Sequence, residues 1–147
     1  MTFADWQRNG WVSPRRTTPR DISEMLEVAD RSLADSDAGG LSADGRLGFA
    51  YNAALAVANA ALAACGYRAE RDSQHYRLVQ SLALTLGVGP VDIAAMDACR
   101  KKRNTSVYER VGQVSTADAD EMVRLARQLR DHIIPWLQAN QPELLAP

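Results

Sequence analysis

The sequence predicts an all-α protein, an up-and-down antiparallel bundle of four to five helices with no sheet. Three observations predict it. Apolar residues recur at spacings of three and four from Ile22 to Leu137, and no run alternates strictly with a period of two. Pro and Gly sit mainly at the ends of these periodic segments. The connections between segments are short, which places consecutive helices side by side and antiparallel. At 147 residues the chain amounts to about one domain. It divides into an N-terminal arm (1–17), a bundle (18–140) and a C-terminal tail (141–147).

Trp6 and Trp11 are expected to pin part of the arm to the bundle, because two exposed tryptophans would leave a large apolar area in water. The first bundle helix opens at "TTPRD", with Thr18 as cap and Pro19 at the first helical position. Ile22, Met25, Leu26, Ala29 and Leu33 form its inner face, and "DAGG" ends it. The next segment, "LSADGRLGFAYNAALAVANAALAACGYR", is the longest. Leu47, Tyr51, Ala54, Leu55, Ala58, Leu62 and Cys65 recur along it, and Gly66 is a plausible stop. Its many alanines allow close approach on more than one side, which suits either a central helix or one that also meets a second subunit.

A third helix starts near Asp72 or Ser73 and turns Leu78, Val79, Leu82 and Leu86 inward, until Gly87 and Gly89 break it. Pro90 opens the fourth, with Val91, Ile93, Ala94, Met96 and Cys99 as its apolar part. Ser115 or Thr116 caps the last helix, where Asp118, Asp120 and Glu121 suit the positive end of the helix dipole. Met122, Leu125, Ala126, Leu129, Ile133 and Leu137 face inward, and Pro135 is expected to kink that helix or end it early.

Composition narrows the function classes. The formal net charge is −1, so no global field draws in nucleic acid and any such binding must use a local patch. Cys65 and Cys99 lie far apart with no metal-ligand spacing, so neither a metal site nor any other cofactor is expected, and buried free thiols fit a reducing cytoplasm. No apolar run approaches the roughly 20 residues of a membrane span, and the N-terminus lacks the pattern of a signal peptide. "GVGP" is too short for a phosphate loop, and no Ser/His/Asp arrangement can be assembled.

The stretch "RKKRNTSVYER" (100–110) reads in two ways. Cations are favoured at a helix C-terminus, so it suits a solvated helix end. It also suits an anion site. On a helix, Asp97, Arg100, Arg103, Asn104 and Tyr108 share one polar face. Arginine forks match phosphate oxygens, the Asn amide adds direction, and Tyr offers a hydroxyl and a stacking ring. Lys101 and Lys102 widen the basic surface. His75, in "DSQHYR", reads as a surface residue of a helix start, or as a partner of Arg103 if the third and fourth helices pack side by side. His132 reads as an exposed polar residue.

"AYNAALAVANAALAACGYR", then "QHYRLVQSLALTLG", then "RKKRN" with a tyrosine four residues after the Asn, resemble the HEPN superfamily of small helical bundles over roughly residues 20–138. The resemblance is to the bacterial standalone branch. It implies an up-and-down bundle, commonly a homodimer. Many members are metal-independent ribonucleases of toxin–antitoxin, stress and phage-defence systems. Others are non-catalytic partners of nucleotidyltransferases. The family motif is Arg, a polar residue often Asn, a short spacer, then His. Here Arg103 stands for the arginine, Asn104 for the polar residue, and Tyr108 where the histidine would be. A tyrosine, with an ordinary pKa near ~10, is a poor general base, though it can donate a proton or stack. The resemblance therefore implies one of two things: an RNA-engaging protein with Arg103, Asn104 and Tyr108 as catalytic candidates and Arg100, Lys101, Lys102 and His75 as RNA contacts, or a non-catalytic interaction module with a nucleotidyltransferase or antitoxin partner.

Overall fold

In the computed structural model, which describes residues 1–104 and 114–145, six helices are arranged as an all-α bundle. They are α1 (Phe3–Arg8), α2 (Pro19–Ser36), α3 (Ala43–Ala64), α4 (Gln74–Ser81), α5 (Pro90–Asn104) and α6 (Thr116–Asn140). A short 3₁₀ turn, Pro142–Leu145, follows α6. The helix caps follow from the local sequence. Thr18 accepts from the Asp21 amide while the Asp21 carboxylate accepts from the Thr18 amide at 2.9 Å, and Pro19 fills the first turn. Ser42 opens α3 and Ser115 opens α6 in the same manner, the latter with Asp118 reaching back.

α3 is the central helix. It packs against α2 and α6 on either side and against α4 and α5 as well. Ala53, Ala58, Ala60, Ala61, Leu62 and Ala63 are all fully buried. The alanines keep the side chains small where neighbouring backbones approach from several directions, so their packing surface is used inside the bundle. By length and composition alone α3 is long and apolar enough to cross a membrane, contrary to the expectation that no segment is, but most of its apolar stretch is buried within the fold.

The expectation of no sheet is corrected. Val12–Pro14 (β1) and Tyr67–Ala69 (β2) form an antiparallel two-stranded ribbon, pairing Val12 with Ala69, Ser13 with Arg68 and Pro14 with Tyr67. Three-residue strands are too short to show a period of two, and the pairing is made only once the arm meets the end of α3. Gly66 makes the turn possible: it takes φ +89°, and its carbonyl accepts from the Arg15 amide at 2.8 Å. Trp6 is 6% exposed and stacks edge-on against Trp11, with ring centroids 5.7 Å apart. The Arg77 guanidinium of α4 sits 3.6 Å from the Trp11 ring centroid, tying the arm to α4.

Of the two outcomes expected at Pro135, the early end is corrected: α6 continues to Asn140. Pro135 and Asp131 are both exposed, so water can satisfy the carbonyl that the missing N–H leaves open. On α5 only Ile93 and Met96 are buried, while Val91 is 81% exposed and Ala94 is also exposed. α5 lies at the edge of the bundle and offers it a narrow stripe. The opposite side of α5 is left facing solvent, and the candidate site forms at its C-terminal end.

Candidate functional site

Three helices bring polar groups together at the C-terminal end of α5. α3 contributes Tyr51, α4 contributes His75 and Tyr76, and α5 contributes Asp97, Arg100, Arg103 and Asn104. The start of α4 is set by Ser73, which takes the left-handed conformation at φ 59° and makes no side-chain cap. That is an uncommon backbone for a serine. It lies two residues before His75, beside a concavity of about 560 Å³ lined by Arg71, His75, Tyr76, Arg100 and Asn104. A second concavity of about 520 Å³, on the other side of Asn104, is lined by Ser42, Asp44, Gly45 and Arg103 among others.

The cations of the 100–104 stretch divide between two tasks. The Arg100 Nε donates to Asp97 Oδ1 at 2.8 Å, with side chains 20% and 17% exposed, and its guanidinium lies 5.4 Å from the Tyr76 ring centroid. Lys101 Nζ is 3.5 Å from the second oxygen of Asp97. Lys102 turns to the last helix and donates to Asp118 Oδ2 at 2.9 Å. It thereby holds α5 against the first turn of α6. Arg103 is half-buried, its guanidinium 5.5 Å from the Tyr51 ring centroid.

His75 and Arg103 meet over the same ring. His75 stands edge-on to Tyr51 at 6.3 Å between centroids, and both His75 and Arg103 line one groove. The residue spacing on α4 and α5 left this approach open, and the packing of the two helices makes it. His75 is an exposed residue, and the limited desolvation it does undergo, then the charges of Arg103 and Arg100, push its imidazole below the ordinary value of 6.5. The neutral form is favoured near neutral pH, with one ring nitrogen available as an acceptor.

Tyr51 is the residue that reading the sequence assigned to the core alone. It is 1% exposed, in agreement with that assignment, but its buried hydroxyl has no hydrogen-bond partner among the described residues. Burial pushes its pKa up to about 12, with Arg100 and Arg103 acting in the opposite direction. The group therefore remains a neutral donor. The available signal was a hydroxyl on an otherwise aliphatic face, next to Asn52. Tyr108 lies outside the described residues. His132 is exposed on α6 and takes no part in this cluster.

Another concavity, of about 640 Å³, lies elsewhere, between α2 and the C-terminal turn. Its charges are matched, Arg130 bonding Asp30 at 2.7 Å. Among the described residues no group of three or more His, Cys, Asp or Glu is placed to hold a metal ion. Comparison of the chain with protein-family models, with curated proteins and with solved structures finds no match.

Proposed function

We propose that this chain is a HEPN-like protein whose α4–α5 cluster engages the phosphates of RNA or of a nucleotide, as a metal-independent ribonuclease of a defence or stress system. The observation that carries the reading is the meeting of His75 and Arg103 over Tyr51, with Arg100 and Asn104 at the rim of open concavities. A helix end that is merely solvated does not require a histidine from the neighbouring helix. In this reading Arg103 holds the scissile phosphate and stabilises its developing charge, and Asn104 orients it. Neutral His75 accepts the proton of the ribose 2′-hydroxyl as the 2′ oxygen bonds to phosphorus. The bond from phosphorus to the 5′ oxygen breaks, and that oxygen takes a proton, which Tyr108, standing where the family motif has histidine, would supply. The products are a 2′,3′-cyclic phosphate and a 5′-hydroxyl.

The experiment is cleavage of single-stranded RNA by the purified chain, with the cyclic phosphate as the diagnostic product. His75→Ala is expected to lower cleavage by about 10²–10⁴-fold, the range of a lost general base. It should leave RNA affinity within a few-fold. Because the base acts in its neutral form and its pKa is lowered in the free protein, kcat/KM in the unchanged protein should be flat through neutral pH and fall only below the ordinary imidazole range. Full activity in His75→Ala would remove His75 from the reaction.

The pairing of Arg100 and Lys101 with Asp97, and of Lys102 with Asp118, favours a second reading. There the stretch is structural, and the chain is a non-catalytic interaction module with a nucleotidyltransferase or antitoxin partner. RNA that is neither bound nor cut would select it. The family resemblance also supports a homodimer, and the cysteines support a cytoplasmic setting. The free, half-buried thiols of Cys65 and Cys99, both kept protonated by burial, suit a reducing compartment. Light scattering at tens of micromolar (roughly where a stable dimer persists) is expected to give twice the chain mass, and a monomer would remove the dimer from the proposal.

A further inference from the structure

We propose that the groove between α2 and α3 that reaches His75 and Arg103 is a nucleobase subsite, so that one nucleotide unit is held by its phosphate and its base together. The inference rests on the phosphate reading above. The groove has a volume of about 430 Å³, and Arg103 and His75 both line it. Its apolar walls are Met25 and Val28 of α2 and Leu55 of α3, with Val28 46% exposed. Its polar groups are Asn52 and Asn59.

These two asparagines are the unusual feature. They lie seven residues apart, two turns along one face of α3, with Leu55 between them. Both are half-buried, and neither side-chain amide makes a hydrogen bond among the described residues. Asn is a weaker helix former than the alanines around it, and its local uses are at caps and turns, where neither of these residues stands. Their amide nitrogens and oxygens stay open to the groove, where a ligand can reach them. A ligand edge that presents a donor beside an acceptor satisfies such an amide at both ends, and a nucleobase is such an edge. Aliphatic walls fit the faces of a planar ring, and a methionine adapts to its outline. The cationic end of the groove is where the phosphate of the same nucleotide would lie.

The test titrates the full chain by calorimetry with ribose 5-phosphate and with the four ribonucleoside 5′-monophosphates. At least one monophosphate is expected to bind about tenfold tighter than ribose 5-phosphate, the scale of one good amide–base contact. A paired Asn52→Leu and Asn59→Leu variant should erase that advantage and leave ribose 5-phosphate affinity unchanged, while Arg103→Ala weakens both ligands. In the unaltered protein, the side-chain amide NMR signals of Asn52 and Asn59 should shift with the preferred nucleotide and stay fixed with ribose 5-phosphate, which tests the subsite even if the paired variant fails to fold. If all four nucleotides bind no tighter than ribose 5-phosphate, the base subsite is overturned and the phosphate reading stands. If ribose 5-phosphate and the nucleotides all fail to bind, both are overturned. If the paired variant turns a dimer into a monomer and nucleotide affinity does not change, the groove is an interface between copies and the subsite is overturned.

Discussion

Arg103→Ala is expected to weaken binding of single-stranded RNA by about 1–3 kcal/mol, the scale of a lost charge-assisted hydrogen bond. The effect should be largest at low salt, since displaced counterions drive much of the affinity for a polyanion. The plot of log affinity against log salt should lose about 0.7 of its slope, the contribution of one phosphate contact on a single strand. Lys101→Ala is the informative control. Lys101 also sits at the end of α5 but is directed to Asp97, and its side chain is 70% exposed. If general positive charge were the whole cause, the two substitutions would cost the same. If the cluster is a site, Arg103→Ala costs clearly more. Fluorescence anisotropy with a labelled RNA measures both, and thermal melting shows that each variant remains folded.

Leu62→Ala should cost about 2–5 kcal/mol of folding stability, the range for emptying a leucine site in a packed core. Leu62 is fully buried on the helix that the rest of the bundle surrounds. Its alanine neighbours are already small, so the surrounding helices have little side-chain volume with which to fill the space. In a chain of this length each kcal/mol shifts Tm by about 2–4 °C. Urea unfolding should show a lower midpoint with an unchanged slope. A loss below about 1 kcal/mol would mean that α2 and α6 close over the gap, and that α3 is less tightly enclosed than its burial indicates.

The helices were legible because their signals are local. Thr18 with Pro19, Pro90 and Ser115 mark starts that the structure shows, and the spacing of Ile22, Leu26, Ala29 and Leu33 identifies the buried side of α2. The alanine-rich segment reads as a central helix because small residues on several sides need neighbours on several sides. What stayed hidden depends on tertiary packing. The ribbon joins residues more than fifty positions apart, Val12 with Ala69, and neither strand is long enough to announce itself. Val91 and Ala94 fit an apolar period but lie on an edge helix with little core to meet.

The candidate site divides along the same line. Arg100, Arg103 and Asn104 share a helix, so their grouping follows from spacing. His75 comes from another helix, and only packing brings it to Tyr51 and Arg103. Lys102 belongs to the same basic run, yet Asp118 draws it toward α6. Tyr51 was hidden by its own burial: an aromatic residue at core spacing reads as core, and its hydroxyl becomes notable only when the structure shows no partner for it among the described residues.

The most direct measurement of the central claim is the titration of the His75 imidazole by NMR, with and without a short single-stranded RNA. The chain has two histidines, so His132→Gln assigns the signal. Without RNA the midpoint should lie below the ordinary value of 6.5, because limited desolvation and the Arg103 and Arg100 charges disfavour the imidazolium. A phosphate seated between His75 and Arg103 adds negative charge at that point and favours the imidazolium, so bound RNA should raise the midpoint. A midpoint that stays the same when RNA is bound would place the phosphates elsewhere and contradict the account.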